Sequence, residues 1–125
     1  MIAVGLDVGT TSVKGLALDT DTGAVVGAAE EGYPFDTPRP GWTEQDPELW
    51  WQAAEKVIAR LRASAGAPGG IGLSGQMHGL VALDSDDHVL RPALLWNDQR
   101  TAAEAEEIEG RLGGLAGIVD STGNR

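Results

Sequence analysis

Two apolar runs, Ile2 to Leu6 and Val13 to Leu18, stand on either side of the stretch Asp7-Val8-Gly9-Thr10-Thr11-Ser12. Rich in Val, Leu and Ala, the runs read as strands, and so short a connection can join only antiparallel neighbours. The tip of this hairpin therefore carries a carboxylate, a glycine and three consecutive hydroxyl residues. A third run, Ala24 to Ala29, follows the turn Asp19-Thr20-Asp21-Thr22-Gly23 and extends the hairpin into a three-strand meander.

The segment from Pro34 to Gly41 contains three prolines, cannot continue a sheet and is expected to be a surface connection. A helix should start at Pro47 with Asp46 as its cap, because a carboxylate there accepts from the free amides of the first turn and proline suits the first helical position. Trp50, Ala54, Val57, Ile58, Leu61 and Ala65 recur at three- and four-residue spacing and place one apolar stripe on the sheet, with Gly66 as the stop. Ile71 to Gly75 reads as a buried strand leading into Gln76-Met77-His78-Gly79. A second hairpin is expected from Leu80 to Leu83 and His88 to Leu90, followed by the run Ala93 to Trp96. Ala and Glu content predicts a helix from Arg100 to about Leu112, with Asp98 a possible cap, and the glycine-rich tail is expected to have no partner element. This order of elements makes an α/β fold: a mixed sheet with an antiparallel three-strand meander and flanking helices.

The chain has 125 residues, of which 42% are apolar. That length suits one domain burying roughly two-thirds of its unfolded surface. Against 9 basic residues stand 19 acidic ones, for a formal charge of -10. Such a surface repels nucleic acid and anionic membranes, so neither is an expected partner, and any phosphate must be bound by local amides and a metal ion. Cysteine is absent, which removes disulfides and thiolate chemistry. With no run near the roughly 20 apolar residues that span a bilayer and no leader-like start, a cytoplasmic location is expected.

The hairpin tip has a specific use open to it. Gly9 lacks a Cβ and lets backbone approach an oxyanion; Thr10 and Thr11 offer amides and hydroxyls, and Lys14 adds a positive charge two residues past the turn. Asp7 can accept hydrogen bonds from the water shell of Mg²⁺. A plain polar hairpin is the alternative, and the spacing is neither that of a Walker loop nor G-x-G-x-x-G. Met77 and His78 follow a strand directly and could reach into a cleft, or His78 could be a structural hydrogen-bonding residue. Trp96, Asn97, Asp98 and Arg100 follow a strand end, where open α/β sheets face their ligand crevice. An aromatic ring beside amide and carboxylate groups suits a polyhydroxylated substrate; a helix cap beside a core tryptophan is equally open. Trp42, Trp50 and Trp51 read as packing residues, His88 as exposed and idle, and Glu104, Glu106, Glu107 and Glu109 as a solvated helix face.

The stretch GLDVGTTSVKGLAL resembles the first phosphate loop of the superfamily that holds sugar kinases and actin. Three further stretches, PGWTEQDPELWW, GLSGQMHGLVALD and RPALLWNDQR, resemble successive blocks of the FGGY family of carbohydrate kinases, in family order and over nearly the whole chain. The resemblance implies a ribonuclease H-like, actin-like ATPase lobe, with residues 1–125 as the N-terminal part of the first, sugar-binding lobe and the second, nucleotide-binding lobe outside this chain. It implies ATP and Mg²⁺ as cofactors and ATP-dependent phosphorylation of a ketopentose, D-xylulose before ribulose, gluconate or glycerol; a non-catalytic actin-like binding module is the rival of another class. By the same resemblance Asp7 is the catalytic residue that binds the metal through water. Gly9, Thr10, Thr11, Ser12 and Lys14 then lie near the transferred phosphate, and Gln76, Met77, His78, Trp96, Asn97 and Asp98 contact the sugar. The family's catalytic base lies in later sequence, so this chain alone is expected not to turn over substrate. Sheet and helix surfaces without a partner here are expected to drive self-association as a homo-oligomer, in the simplest case a dimer.

Overall fold

The computed structural model describes residues 1–124, and it contains the expected meander. Strands β1 (Ile2–Val8), β2 (Ser12–Asp19) and β3 (Ala24–Gly32) pair antiparallel in sequence. Gly23 turns β2 into β3 at φ 73°, a left-handed conformation that glycine adopts without steric cost. Helix α1 (Pro47–Ala65) then returns the chain so that β5 (Gly70–Gly75) lies parallel to β1, giving the order β3-β2-β1-β5. Parallel pairing matters for function, because β1 and β5 end on the same side and their following turns become neighbours.

Helix α1 begins and ends as its sequence signals dictate. Asp46 accepts from the amide of Glu48, Pro47 occupies the first turn, and the Gly66 amide closes on the carbonyl of Arg62. Its stripe packs on one face of the sheet: Val4, Leu6, Val13 and Ala17 below, Ala53, Ala54, Val57 and Leu61 above, all buried. Burying a side chain such as Val57 or Leu61 fully contributes about 1.5–3 kcal/mol. The helix sits close because β2 presents Gly15 beneath it; a Cβ there would lie 2.5 Å from Val57 Cγ1 and 2.8 Å from Leu61 Cδ1.

Several expectations need correction. Strand β5 is not buried: all six of its residues are exposed, with Leu73 76% exposed. Helix α1 lies across β1, β2 and β3, and β5 extends beyond it as an edge. The second hairpin does form around the bridge Leu83–Val89, with Asp84 N donating to His88 O and Leu90 N to Ala82 O, but it is too short to make strands, and Leu80 bridges Leu94. Asp84 takes the amides of Asp86 and His88 on its side chain, Asp87 turns at φ 64°, and Pro92 follows, leaving little backbone for a ladder. Instead, the short β4 (Glu44–Gln45) pairs with β6 (Ala93–Leu94). The late helix is shorter than expected, α2 (Ala102–Arg111), and the tail does form an element, α3 (Leu115–Thr122), which packs against α2. Trp51 is 61% exposed rather than packed.

The fit at Gly15 yields a direct test. Gly15→Ala should overpack the α1 interface and cost about 1–3 kcal/mol. Gly5→Ala, on the open face of β1 with no atom within 4 Å of the added carbon, should be nearly neutral. Thermal unfolding of the two variants of the 125-residue chain checks this; equal shifts would mean that α1 does not rest on β2 as described.

Candidate functional site

The turn between β1 and β2 owes its shape to bonds from behind. Gly9 N donates to Ser12 O at 3.0 Å, closing the turn. Tyr33 Oη donates to Gly9 O at 2.5 Å, Gln45 Nε2 to Thr10 O at 3.1 Å, and Tyr33 N to Thr11 O at 3.0 Å. Successive carbonyls are thus turned toward the protein, while the amides of Thr10 and Thr11 donate to no acceptor among the described residues. Free consecutive amides at a glycine turn are an anion-binding arrangement. Burial pushes the Tyr33 phenol pKa up, and the nearby charge of Asp7 adds to the rise, so Tyr33 remains a donor.

Asp7, Lys14 and Ser74 form one row across β1, β2 and β5, on the sheet face opposite α1. With Gly5, Leu16 and Gly72 they line an open concavity of about 410 Å³. An exposed carboxylate at the end of β1, beside free amides and a lysine, fits a hydrated divalent cation carrying phosphate. Not every hydroxyl of the turn is available: Ser12 is buried and donates to Glu30 Oε1 at 2.7 Å, whereas Thr11 is exposed.

On the adjacent end of β5, Gln76, His78 and Gly79 line a second cavity of about 180 Å³ with Val8, Trp50 and Leu95. His78 sits at φ 61°, an uncommon conformation for a residue with a Cβ, which concentrates at binding sites. Met77 is 71% exposed. Trp96 and Asn97 are also exposed, and the Trp96 indole donates to Thr10 Oγ1 at 3.2 Å, bringing the segment after β6 against the turn between β1 and β2. The same Thr10 hydroxyl donates to Gln76 Oε1 at 3.0 Å. Candidates far apart in sequence thereby meet at the Thr10 side chain.

Asp98 departs from its neighbours. Its carboxylate accepts from the Thr43 amide at 2.7 Å and from the Arg100 amide and guanidinium at 2.7 to 2.9 Å. It does not cap α2, whose N-cap Thr101 makes no side-chain bond. Arg100 also pairs with Glu44 and stacks 3.8 Å from the Trp42 ring centroid, while Arg91 reaches Glu44 at 2.6 Å. This cluster, not visible in local sequence signals, joins the 39–45 connection to the segment that carries Trp96. His88, expected to be idle, lies 3.2 Å from Asp84 within its own turn.

Comparison with known proteins gives a consistent answer. Residues 2–124 match the FGGY family of carbohydrate kinases, N-terminal domain. The xylulose kinase of Escherichia coli is 43% identical over 111 residues, covering 87% of this chain and 23% of that protein. The crystal structure of xylulose kinase from Rhodospirillum rubrum superposes with a TM-score of 0.84 at 36% identity, over 89% of this chain and 23% of that one. A gluconate kinase from Lactobacillus acidophilus superposes at 0.79 with 30% identity, over 89% and 23%. The chain spans about a quarter of the length of the curated relatives it matches. Its architecture is the actin-like fold of these kinases.

Asp98 allows a test by pH. Arg100 hydrogen bonds, aided by the Thr43 amide and opposed by burial, hold its carboxyl well below the usual carboxylate range. A carboxyl depressed in the folded state stabilises the fold above its unfolded pKa, about 3.9, and loses that contribution as pH falls toward the folded value. Asp98→Asn should therefore unfold more easily than the parent chain above about pH 5, and the gap should shrink between about pH 4 and 2. A gap independent of pH would mean that the charge on Asp98 contributes nothing.

Proposed function

The chain belongs to the FGGY family of carbohydrate kinases, and from that premise we propose that it forms the N-terminal part of the sugar-binding lobe of a kinase that phosphorylates D-xylulose. The observation that carries this reading is the pair of neighbouring turns where β1 and β5 end together, the free amides beside Asp7 in one and Gln76 to His78 in the other, joined by the Thr10–Gln76 hydrogen bond. The reaction is attack of the sugar 5-hydroxyl on the γ-phosphorus of ATP. One oxygen–phosphorus bond forms, the bond to the bridging oxygen breaks, ADP leaves with that electron pair, and the hydroxyl proton passes to a carboxylate base. That base is assigned to sequence beyond this chain and not to Asp7, whose place beside the phosphate turn suits a metal-bound water.

In this reading Asp7 would hold Mg²⁺ through its water shell, and the cation would neutralise phosphate charge. The amides of Thr10 and Thr11 donate to phosphate oxygens, Gly9 allows their close approach, and Lys14 adds charge from the neighbouring strand. Ser12 braces the turn through Glu30. His78 and Met77 contact the sugar, Trp96 offers its exposed ring face, Asn97 supplies an amide at the rim, and Asp98 acts through Arg100 by holding the Trp96 segment in place. A cytoplasmic homo-oligomeric enzyme belongs to the same proposal; no helix among the described residues is long and apolar enough to cross a membrane.

The likeness to a gluconate kinase keeps one competing substrate in view. Purified protein at the full length of its family, assayed against D-xylulose, L-ribulose, gluconate and glycerol, should favour D-xylulose by kcat/KM. Preference for another acceptor would transfer the assignment, and phosphorylation of none would defeat it. Asp7→Asn in that protein should lower kcat by about 100-fold or more while sugar KM stays nearly constant, the pattern of an interaction made in the transition state. His78→Ala should do the reverse, raising sugar KM about tenfold with little effect on the KM for ATP. Equal effects on both substrates would mark His78 as structural.

A further inference from the structure

The amides of Thr10 and Thr11 take their direction from two residues outside the turn. The peptide bonds of the turn are trans, and in a planar trans peptide the C=O and the N–H that follows it point opposite ways. Whatever holds the carbonyl of Gly9 therefore aims the amide of Thr10, and whatever holds the carbonyl of Thr10 aims the amide of Thr11. Tyr33 Oη holds the first and Gln45 Nε2 the second. Gln45 can do this in one orientation only. Its Oε1 accepts from the Trp50 indole N–H at 2.6 Å, a group that only donates, while its Nε2 faces the carbonyl oxygens of Thr10 and Pro34, which only accept. A flipped amide would set oxygen against two oxygens and N–H against N–H. Nor is Gln45 free to follow the turn: it is buried in β4, paired with Ala93, and adjoins Glu44, which Arg91 and Arg100 hold.

We infer that Gln45 and Tyr33 are positioning residues for phosphoryl transfer, each aiming one amide of the turn at the transferred phosphate. The inference rests on the kinase reading above and adds to it two residues that touch neither substrate. Both are buried, and their polar groups are spent on this chain. Their contribution to rate is direction set in advance. Donors already fixed need no reorganisation as charge develops on the phosphate, whereas amides free to swing must first be ordered. The turn after β5 is anchored separately, by Gln76 N on Val8 O and Leu80 N on Leu94 O, and it meets the β1–β2 turn through the Thr10 hydroxyl. Loosening the carbonyls should therefore disturb phosphate more than sugar.

Kinetics of the protein at the full length of its family, with D-xylulose and MgATP varied separately, test this. Tyr33→Phe, which loses one hydroxyl, should lower kcat about tenfold. Gln45→Glu keeps an oxygen for Trp50 but turns a second oxygen on two carbonyls, and it should lower kcat about 100-fold; Gln45→Met, which removes the donor without that repulsion, should fall between Gln45→Glu and wild type. In each variant the sugar KM should rise no more than about threefold, the share passed on through the Thr10 hydroxyl. Gly15→Ala, which weakens the seat of α1 away from the turn, is the control for stability, and at a temperature where it is folded its kcat should stay within about twofold of wild type. Unchanged kcat in Tyr33→Phe and Gln45→Met overturns the inference. So does a sugar KM that climbs as far as kcat falls, and so does an equal loss of kcat in Gly15→Ala, since the rate would then report stability alone. Should Gln45→Glu fail to fold, the other two variants decide. A wild type inactive on every sugar defeats the kinase reading and this inference with it, whereas an active wild type with unresponsive variants defeats the inference alone.

Discussion

The buried side chain of Gln45 is the contact on which the rest of the site depends. It is 1% exposed, and its amide is fully used: Nε2 donates to Thr10 O and Pro34 O, and Oε1 accepts from Trp50 Nε1 at 2.6 Å. One side chain thus ties the phosphate turn, the proline-rich connection and the first turn of α1 into a rigid unit. Inside a protein such a network is worth having only when every member is satisfied, because an unpaired buried polar group costs about 1–3 kcal/mol. With Tyr33 it turns the carbonyls of residues 9–11 inward, and the amide direction of the turn follows from that alone. The turn gets its shape from residues at 33 and 45 as well as from its own Gly9–Ser12 bond.

That dependence explains what could be read from sequence and what could not. The meander and α1 were legible because their signals are local: alternation in the strands, Asp46 and Pro47 at the start of the helix, Gly66 at its end. Asp7 and the Gly9–Ser12 turn stood out for the same reason, as polar residues between two apolar runs. Strand β4 has two residues and exists only through pairing with β6. No local pattern announces such a strand. The second hairpin stays short because a side chain, Asp84, takes the amides of Asp86 and His88 in its turn. The apolarity of β5 reports what a strand is suited to pack against, not what covers it here, since all six of its residues are exposed.

Asp98 illustrates a different limit. A carboxylate after a strand end, next to a tryptophan, is compatible with sugar binding or with capping, and nothing nearby separates these. Its partners are Thr43, 55 positions earlier, and Arg100, which itself reaches back to Glu44 and Trp42. Two of the stretches that carry the family resemblance are therefore halves of one cluster. Charges that might have served chemistry are neutralised against each other, Arg100 by Asp98 and Glu44, and the cluster's product is a position: the Trp96 ring set against Thr10. An isolated surface ion pair would be worth little, but these side chains are mostly buried and mutually bonded, which is the setting in which charge pairs fix geometry.

Position is what this chain would supply to the proposed kinase. Phosphoryl transfer needs acceptor and donor brought into line, and misplacement by an ångström is costly in rate. Here the parallel pairing of β1 and β5 makes the two binding turns neighbours, and Thr10 joins them at the level of single bonds: its carbonyl to Gln45, its hydroxyl to Gln76 and Trp96. A shift of the turn would move both walls of the crevice together. The regions proposed to hold sugar and phosphate are therefore joined through one side chain, that of Thr10.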